Sequence, residues 1–191
     1  MLHKELPPLA LQLREATKAA HRSLDHHPLL AALVSQKLAV SDYARALAAL
    51  HGAHAAIETA LAGFSPEEIF PRRLLDLEAD LAELSCRPID LETPPPLATT
   101  DAARIGLMYV LEGSNLGGAV IARLLDTSLT KSAPRRFFGR TGGEERWGKF
   151  WDFALQRCPS DQFNVACEAA SATFLFYRRH LDGCTLRQRS C

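Results

Sequence analysis

Residues 109–125 read YVLEGSNLGGAVIARLL, and the fold turns on whether this stretch is a helix. Apolar residues flank it at helical spacing: Ile105, Leu107, Met108, Val110 and Leu111 before, Val120, Ile121, Leu124 and Leu125 after. Between them lie Gly113, Gly117 and Gly118. A glycine inside a helix costs roughly 1 kcal/mol relative to alanine, so three cost about 3 kcal/mol. A helix that carries this cost has a use for bare backbone. Either another body packs very close to it, or it bends, and the Gly113-Ser114 pair is a bend point. Gly113 and Gly117 are four apart and share a face. A face without side chains is a flat notch suited to a planar ligand, or else a small-residue contact with a neighbouring helix.

The rest of the chain sets limits on what surrounds this stretch. Its 191 residues fit one domain with one core. Basic and acidic residues number 22 each, so no net field favours nucleic acid or an anionic membrane. The start, MLHKELPPLALQ, lacks the basic-then-apolar pattern of a signal peptide. No uninterrupted apolar run approaches the length of a membrane span. The five cysteines are scattered without a CxxC, which reads as reduced thiols in a cytoplasmic protein.

Val and Ile are scarce, Ala and Leu dominate, and the periodicity is helical nearly throughout. Pro7-Pro8 opens a first helix over about 9–26, with Leu13, Ala16, Ala20 and Leu24 as its apolar stripe. His27-Pro28 ends it, and a short helix covers 29–36. Ser41 is the expected N-cap of a long helix over 42–62. Ser65-Pro66-Glu67-Glu68 is the expected start of the next, which runs to about Leu84. Residues 86–98 form a proline-rich loop. Thr100 or Asp101 caps the glycine-bearing helix, which extends to about Leu125. Residues 126–143 read as an irregular connection. Two more helices follow over 144–157 and 160–182, and the tail after Gly183 is expected to be loose. The sum is an all-α domain of about seven helices with its core over about 9–182.

The first helix carries a second unusual feature. Arg14, Thr17 and His21 share one face at the edge of the apolar stripe. Asp25 lies one turn beyond His21, where a carboxylate can accept the ring N–H, fix the tautomer and leave the other nitrogen a better ligand. A plainer reading makes His21 a boundary residue of an amphipathic helix. Arg14 stands about 10 Å from His21 along the axis, the scale of the distance from a haem iron to its propionates.

LREATKAAH with a carboxylate four residues further on, then YVLEGSNLGGAVIARLL about ninety residues later, then ATFLFYRRHL near the end, resembles the haem oxygenase family, especially its bacterial members. The resemblance spans about 9–182. It implies an all-helical fold that holds haem between the first helix and a kinked, glycine-rich distal helix. On it, His21 matches the proximal ligand. Asp25 matches its hydrogen-bond partner, where the family often has the longer Glu. Arg14 and Tyr109 match residues that contact a propionate, and Thr17 lies on the same haem-facing side. Gly113, Gly117 and Gly118 match the distal glycines that let backbone approach bound dioxygen, and Phe174 is placed against the haem. Ser114 stands where mammalian enzymes have an Asp that orders water, as in bacterial relatives. Lys149 and Arg146 are candidates for a further basic propionate contact.

The activity so implied is ring-opening of haem, both substrate and cofactor, to biliverdin, carbon monoxide and iron. It consumes O2 and takes electrons from a ferredoxin or a flavoprotein reductase. The alternative is a haem carrier or sensor on the same fold without turnover, and a third reading is a helical relative that binds no haem. Several other features have plain readings. His51, His54 and Glu58 could form a metal face but lack a paired Glu-x-x-His. Cys158-Pro159 reads as a helix terminator with a buried thiol. The aromatic residues Phe150, Trp151, Phe153, Phe163, Phe176 and Tyr177 read as core. Arg178, Arg179 and His180 read as a solvated helix end, which would also suit an acidic electron donor.

Overall fold

The computed structural model describes residues 6–64, 70, 72–89, 94–96, 98–130, 132–139 and 143–189. Among them there are eight α-helices, two short 3-10 turns and no strand. The helices are α1 (Pro8–Asp25), α2 (Pro28–Ala31), α3 (Val40–Ala60), α4 (Leu74–Glu83), α5 (Asp101–Ser128), α6 (Arg136–Gly139), α7 (Gly143–Arg157) and α8 (Phe163–Arg189). The sequence predicts all but α6, and the departures from it share a cause.

Where ends are set locally, the reading holds. Pro8 opens α1 at the position where a missing N–H costs nothing. Thr100 caps α5 by accepting from Ala103 N at 3.2 Å, with Asp101 in the first turn. His27 caps α2 through Nδ1, which accepts from Leu29 N at 3.3 Å, while its Nε2 lies 3.3 Å from Asp182 of α8. Where ends are set from afar, the reading fails. The expected cap at 65–68 lies outside the described residues, and Arg72 and Arg73 are not helical. Helix α4 begins instead at Leu74, because Glu58 of α3 accepts both Arg73 N (2.6 Å) and Leu74 N (3.2 Å). Helix α6 interrupts the expected irregular connection, because the buried Asp80 carboxylate of α4 accepts Arg136 N at 3.1 Å and Phe137 N at 2.9 Å.

Two further boundaries move. Ala39, not Ser41, precedes the first turn of α3, and no side chain caps it. Helix α8 continues past Gly183 to Arg189, because Leu181 and Cys184 are buried against Ala49 of α3. A stripe of Thr173, Tyr177, His180 and Cys184, all buried, runs down its inner face. Arg178, Arg179 and His180 are therefore mid-helix. His180 is buried, and a side chain at Gly52 of α3 would meet its ring at 2.8 Å.

Two large apolar clusters organise most of the interior, beside the small one at Ala49, Leu181 and Cys184. The first joins α1, the end of α3, the N-terminal half of α5 up to Leu111, α7 and α8. The second joins the start of α3, α4, α6 and the end of α5 from Ile121 onward. Helix α5 therefore serves both. It packs most extensively on α8, and Gly106 permits this: a Cβ there would stand 2.3 Å from the Ala166 carbonyl oxygen. Its glycine stretch does not interrupt the helix, which is continuous from Asp101 to Ser128. By length and composition α5 could cross a membrane, but half of that apolar window is buried in this fold, as in the central helix of a globular core.

Candidate haem site between the first and fifth helices

Helices α1 and α5 both pack against α8. On α1, Leu9, Leu13 and Thr17 face the core, and the Thr17 hydroxyl donates to the Leu13 carbonyl at 2.7 Å. Arg14, His21 and Asp25 lie on the exposed side. His21 Nδ1 stands 2.9 Å from Asp25 Oδ2, with 59% and 58% of the two side chains exposed. The shorter Asp thus reaches the ring. In this pairing the Nδ1–H donates to the carboxylate and the Nε2 lone pair is left for a ligand. Phe174, buried on α8, presents its ring to His21 edge-on, with centroids 5.3 Å apart.

On α5, Tyr109 meets α1. Its hydroxyl lies close to the Thr17 hydroxyl, and Arg14 lies close enough to act on it electrostatically. Burial pushes the Tyr109 pKa up, and Thr17 and Arg14 offset part of that rise. Gly113 and Gly117 follow on the same face, about 6 and 12 Å further along the axis. A Cβ on Gly117 would meet nothing within 4 Å, and on Gly113 only the Trp147 ring at 3.9 Å. Gly117 therefore presents bare backbone to open space, and Gly113 presents it beside the Trp147 ring. Gly118 differs: it is buried, and a Cβ there would meet Phe138 at 3.5 Å. Ser114 is exposed, with its hydroxyl donating to the Leu111 carbonyl at 2.6 Å.

The arrangement brings Arg14, Thr17 and Tyr109 together at one seam and His21 with Phe174 beside it. One imidazole with a free nitrogen, a cation on the same helix and a helix face without side chains suit a planar, anionic, singly ligated iron macrocycle, and the residues present fit haem. The two basic candidates on α7 are engaged elsewhere. Lys149 pairs with Glu145 at 2.7 Å, and Arg146 points to Glu112 at 3.9 Å.

Behind the glycine face lies a buried polar group that sequence reasoning missed. Asn115 Oδ1 accepts from the Arg73 guanidinium, which also stacks 4.3 Å over the Phe137 ring. Glu58 Oε1 accepts the Arg73 and Leu74 amides and lies 3.0 Å from His54 Nε2. Tyr177 OH lies 3.3 Å from His54 Nδ1. Burial lowers the His54 pKa. Burial alone would raise that of Glu58, but its bonds to His54 and to the two amides outweigh this and lower it. The pair is thus neutral imidazole and carboxylate. Only the His54–Glu58 spacing was visible in the sequence. Arg73 and Asn115, 42 residues apart, gave no local sign. His51 Nε2 lies 3.5 Å from Glu78, a different partner from that of His54. No cluster of three or more metal-ligating side chains exists among the described residues. Cys158 ends α7 as a buried thiol, and the expected core aromatics are buried, with Phe163 only partly so.

Solved structures share this fold. The heme oxygenase of Neisseria meningitidis, studied with NO and CO bound, superposes with a TM-score of 0.73 at 22% identity, over 92% of this chain and 91% of that one. Heme oxygenase-1 of the cyanobacterium Synechocystis, solved in complex with heme, gives 0.69 at 17% identity, over 93% and 92%. The heme oxygenase of Leptospira interrogans gives 0.71 at 16%, over 92% and 98%. A protein named heme oxygenase from Xanthomonas campestris pv. campestris is 52% identical over 56 residues, which is 29% of this chain and 33% of that protein. The sequence model of the Heme oxygenase family matches residues 7–182, nearly the whole chain, and the protein belongs to the heme oxygenase family.

Proposed function

We propose that the protein binds haem between α1 and α5 and opens its ring to biliverdin, carbon monoxide and iron, using O2 and electrons from a ferredoxin or flavoprotein reductase. The observations that carry this reading are the pairing of His21 Nδ1 with Asp25 at 2.9 Å on α1 and a turn of α5 at Gly113 and Gly117 that carries no side chain. Bound haem supplies the oxidising chemistry, and the protein supplies ligation, orientation and exclusion of side reactions. His21, held by Asp25, would ligate the iron. Arg14 and Tyr109 take the anionic edge of the macrocycle. Phe174 covers the flank of the imidazole. Gly113 and Gly117 leave room beside the ring that a larger side chain would fill, and Ser114 stands at the rim of that space. The thiols of Cys86, Cys158 and Cys167, which form no disulfide, fit the reducing cytoplasm.

The test is aerobic turnover of the hemin complex with a reduced ferredoxin or ascorbate, followed by chromatography of the bilin. Biliverdin is expected. Hemin binding at 1:1 without verdoheme or biliverdin bands would make the protein a carrier or sensor, and the absence of any Soret change on hemin titration would remove the haem reading.

A further inference from the structure

The mechanism above leaves one buried ion pair unused. Glu112 immediately precedes the first open glycine, yet its side chain is 1% exposed and turned inward. Burial pushes its pKa up, with Asn115, Arg146 and Arg73 acting in the opposite sense. The nearest cation, Arg146 Nε of α7, stands 3.9 Å from Oε2, an ion-pair distance rather than a hydrogen bond. The Asn115 amide lies near enough to favour the carboxylate, though neither Glu112 oxygen has a partner in full hydrogen-bond geometry. Asn115 spends its carbonyl oxygen on Arg73, so what remains is the NH2, a donor suited to Glu112.

The first turn of α7 lies along this turn of α5. Gly143 of α7 approaches Leu116 and the Asn115 carbonyl, at 3.5 and 3.9 Å from its Cβ position. Arg146 faces Glu112, and the next residue, Trp147, faces Gly113. The same helix pair carries a second ion pair, Asp101–Arg157 at 3.4 Å, with 44% and 47% of the side chains exposed. From the first pair to the second, both helices advance by the same number of residues in opposite directions, as an antiparallel pair in fixed register requires. The exposed pair is screened and weak, whereas a buried charge that loses its partner is costly. Register at the glycine turn therefore depends on the buried pair.

We propose that Glu112 is a positioning residue of the haem site: from the buried side of α5 it fixes the register of α7, and so of Trp147 over Gly113, and it orients the Asn115 amide toward Arg73. One part of the test needs no haem. In the haem-free protein the Asn115 side-chain amide, identified by its loss in N115D, is expected to exchange with solvent about tenfold faster in E112Q than in the unchanged chain, the scale of losing one buried polar neighbour. The second part rests on the haem reading. Hemin transfer to apomyoglobin is expected to be about tenfold faster in E112Q, as for loss of a residue that orients a ligand shell, with E112D recovering part of the difference. R146Q is expected to reproduce both effects and replaces E112Q should that variant not fold. Unchanged amide exchange overturns the proposal. So does altered exchange with unchanged hemin transfer, since that assigns the pair to stability alone. If the unchanged chain binds no hemin, the haem reading fails while the amide exchange still decides the positioning of Asn115.

Discussion

Two histidine–carboxylate pairs at helical i, i+4 spacing define the two sides of this molecule. His21 and Asp25 on α1 are separated by 2.9 Å, and His54 and Glu58 on α3 by 3.0 Å. The residue types and spacing are nearly the same, yet the first pair has side chains 59% and 58% exposed and the second 5% and 4%. The difference lies in the remaining atoms. His54 has both ring nitrogens occupied, one by Glu58 and one by Tyr177, and Glu58 also caps α4. His21 is held at one nitrogen only. A satisfied pair is structure, and a pair with one nitrogen in reserve is available to a ligand.

The comparison can be broken most sharply at His21. H21A is expected to abolish imidazole ligation of bound hemin, read as a shifted and weakened Soret band that added imidazole restores. H54A is expected to leave that band in place. The second largest effect is on the buried side. E58A removes a carboxylate that accepts two amides and an imidazole, a loss of about 3 kcal/mol, which for a chain of this length lowers the melting temperature by about 6–12 °C. D25A is the exposed counterpart. It is expected to cost little stability but to weaken hemin binding about tenfold, measured by titration. An equal loss of melting temperature in D25A and E58A would erase the distinction between the pairs.

Much of this was legible beforehand. The α1 register of Arg14, His21 and Asp25 and the open face of Gly113 and Gly117 follow from helical spacing, which a sequence displays directly. The turn without side chains and the tight packing site involve different glycines. Gly106, which looks unremarkable in the sequence, makes the close helix contact, whereas Gly117 touches nothing. Gly118, adjacent to it, packs on Phe138. One helical position, a rotation of about 100°, separates the two environments. The starts of α4 and α6 were illegible because Glu58 and Asp80 set them from distant segments. The partnership of Arg73 with Asn115 was illegible for the same reason.

The smallest predicted effect concerns acid. Burial lowers the pKa of both His27 and His54 from 6.5. The unfolded chain therefore takes up these protons first as pH falls, and stability is lost progressively below about pH 6.5. His27 also gives up its cap on Leu29 N when Nδ1 is protonated. H27N keeps a capping side chain without a titrating ring. Its melting temperature is expected to fall less between pH 7 and pH 5 than that of the unchanged chain, by a degree or two (about 0.5 kcal/mol).

Helix α5 belongs to one apolar cluster as far as Leu111 and to the other from Ile121 onward. It is a bridge on two piers, and the glycine stretch is the deck between them. Strain introduced at the deck by an arriving ligand can be absorbed there without disturbing either foundation. The piers in turn keep the deck from sagging into the space it overlooks. Amide hydrogen exchange is therefore expected to fall into a fast middle and two slow ends along this one helix, with the middle slowing when hemin is added.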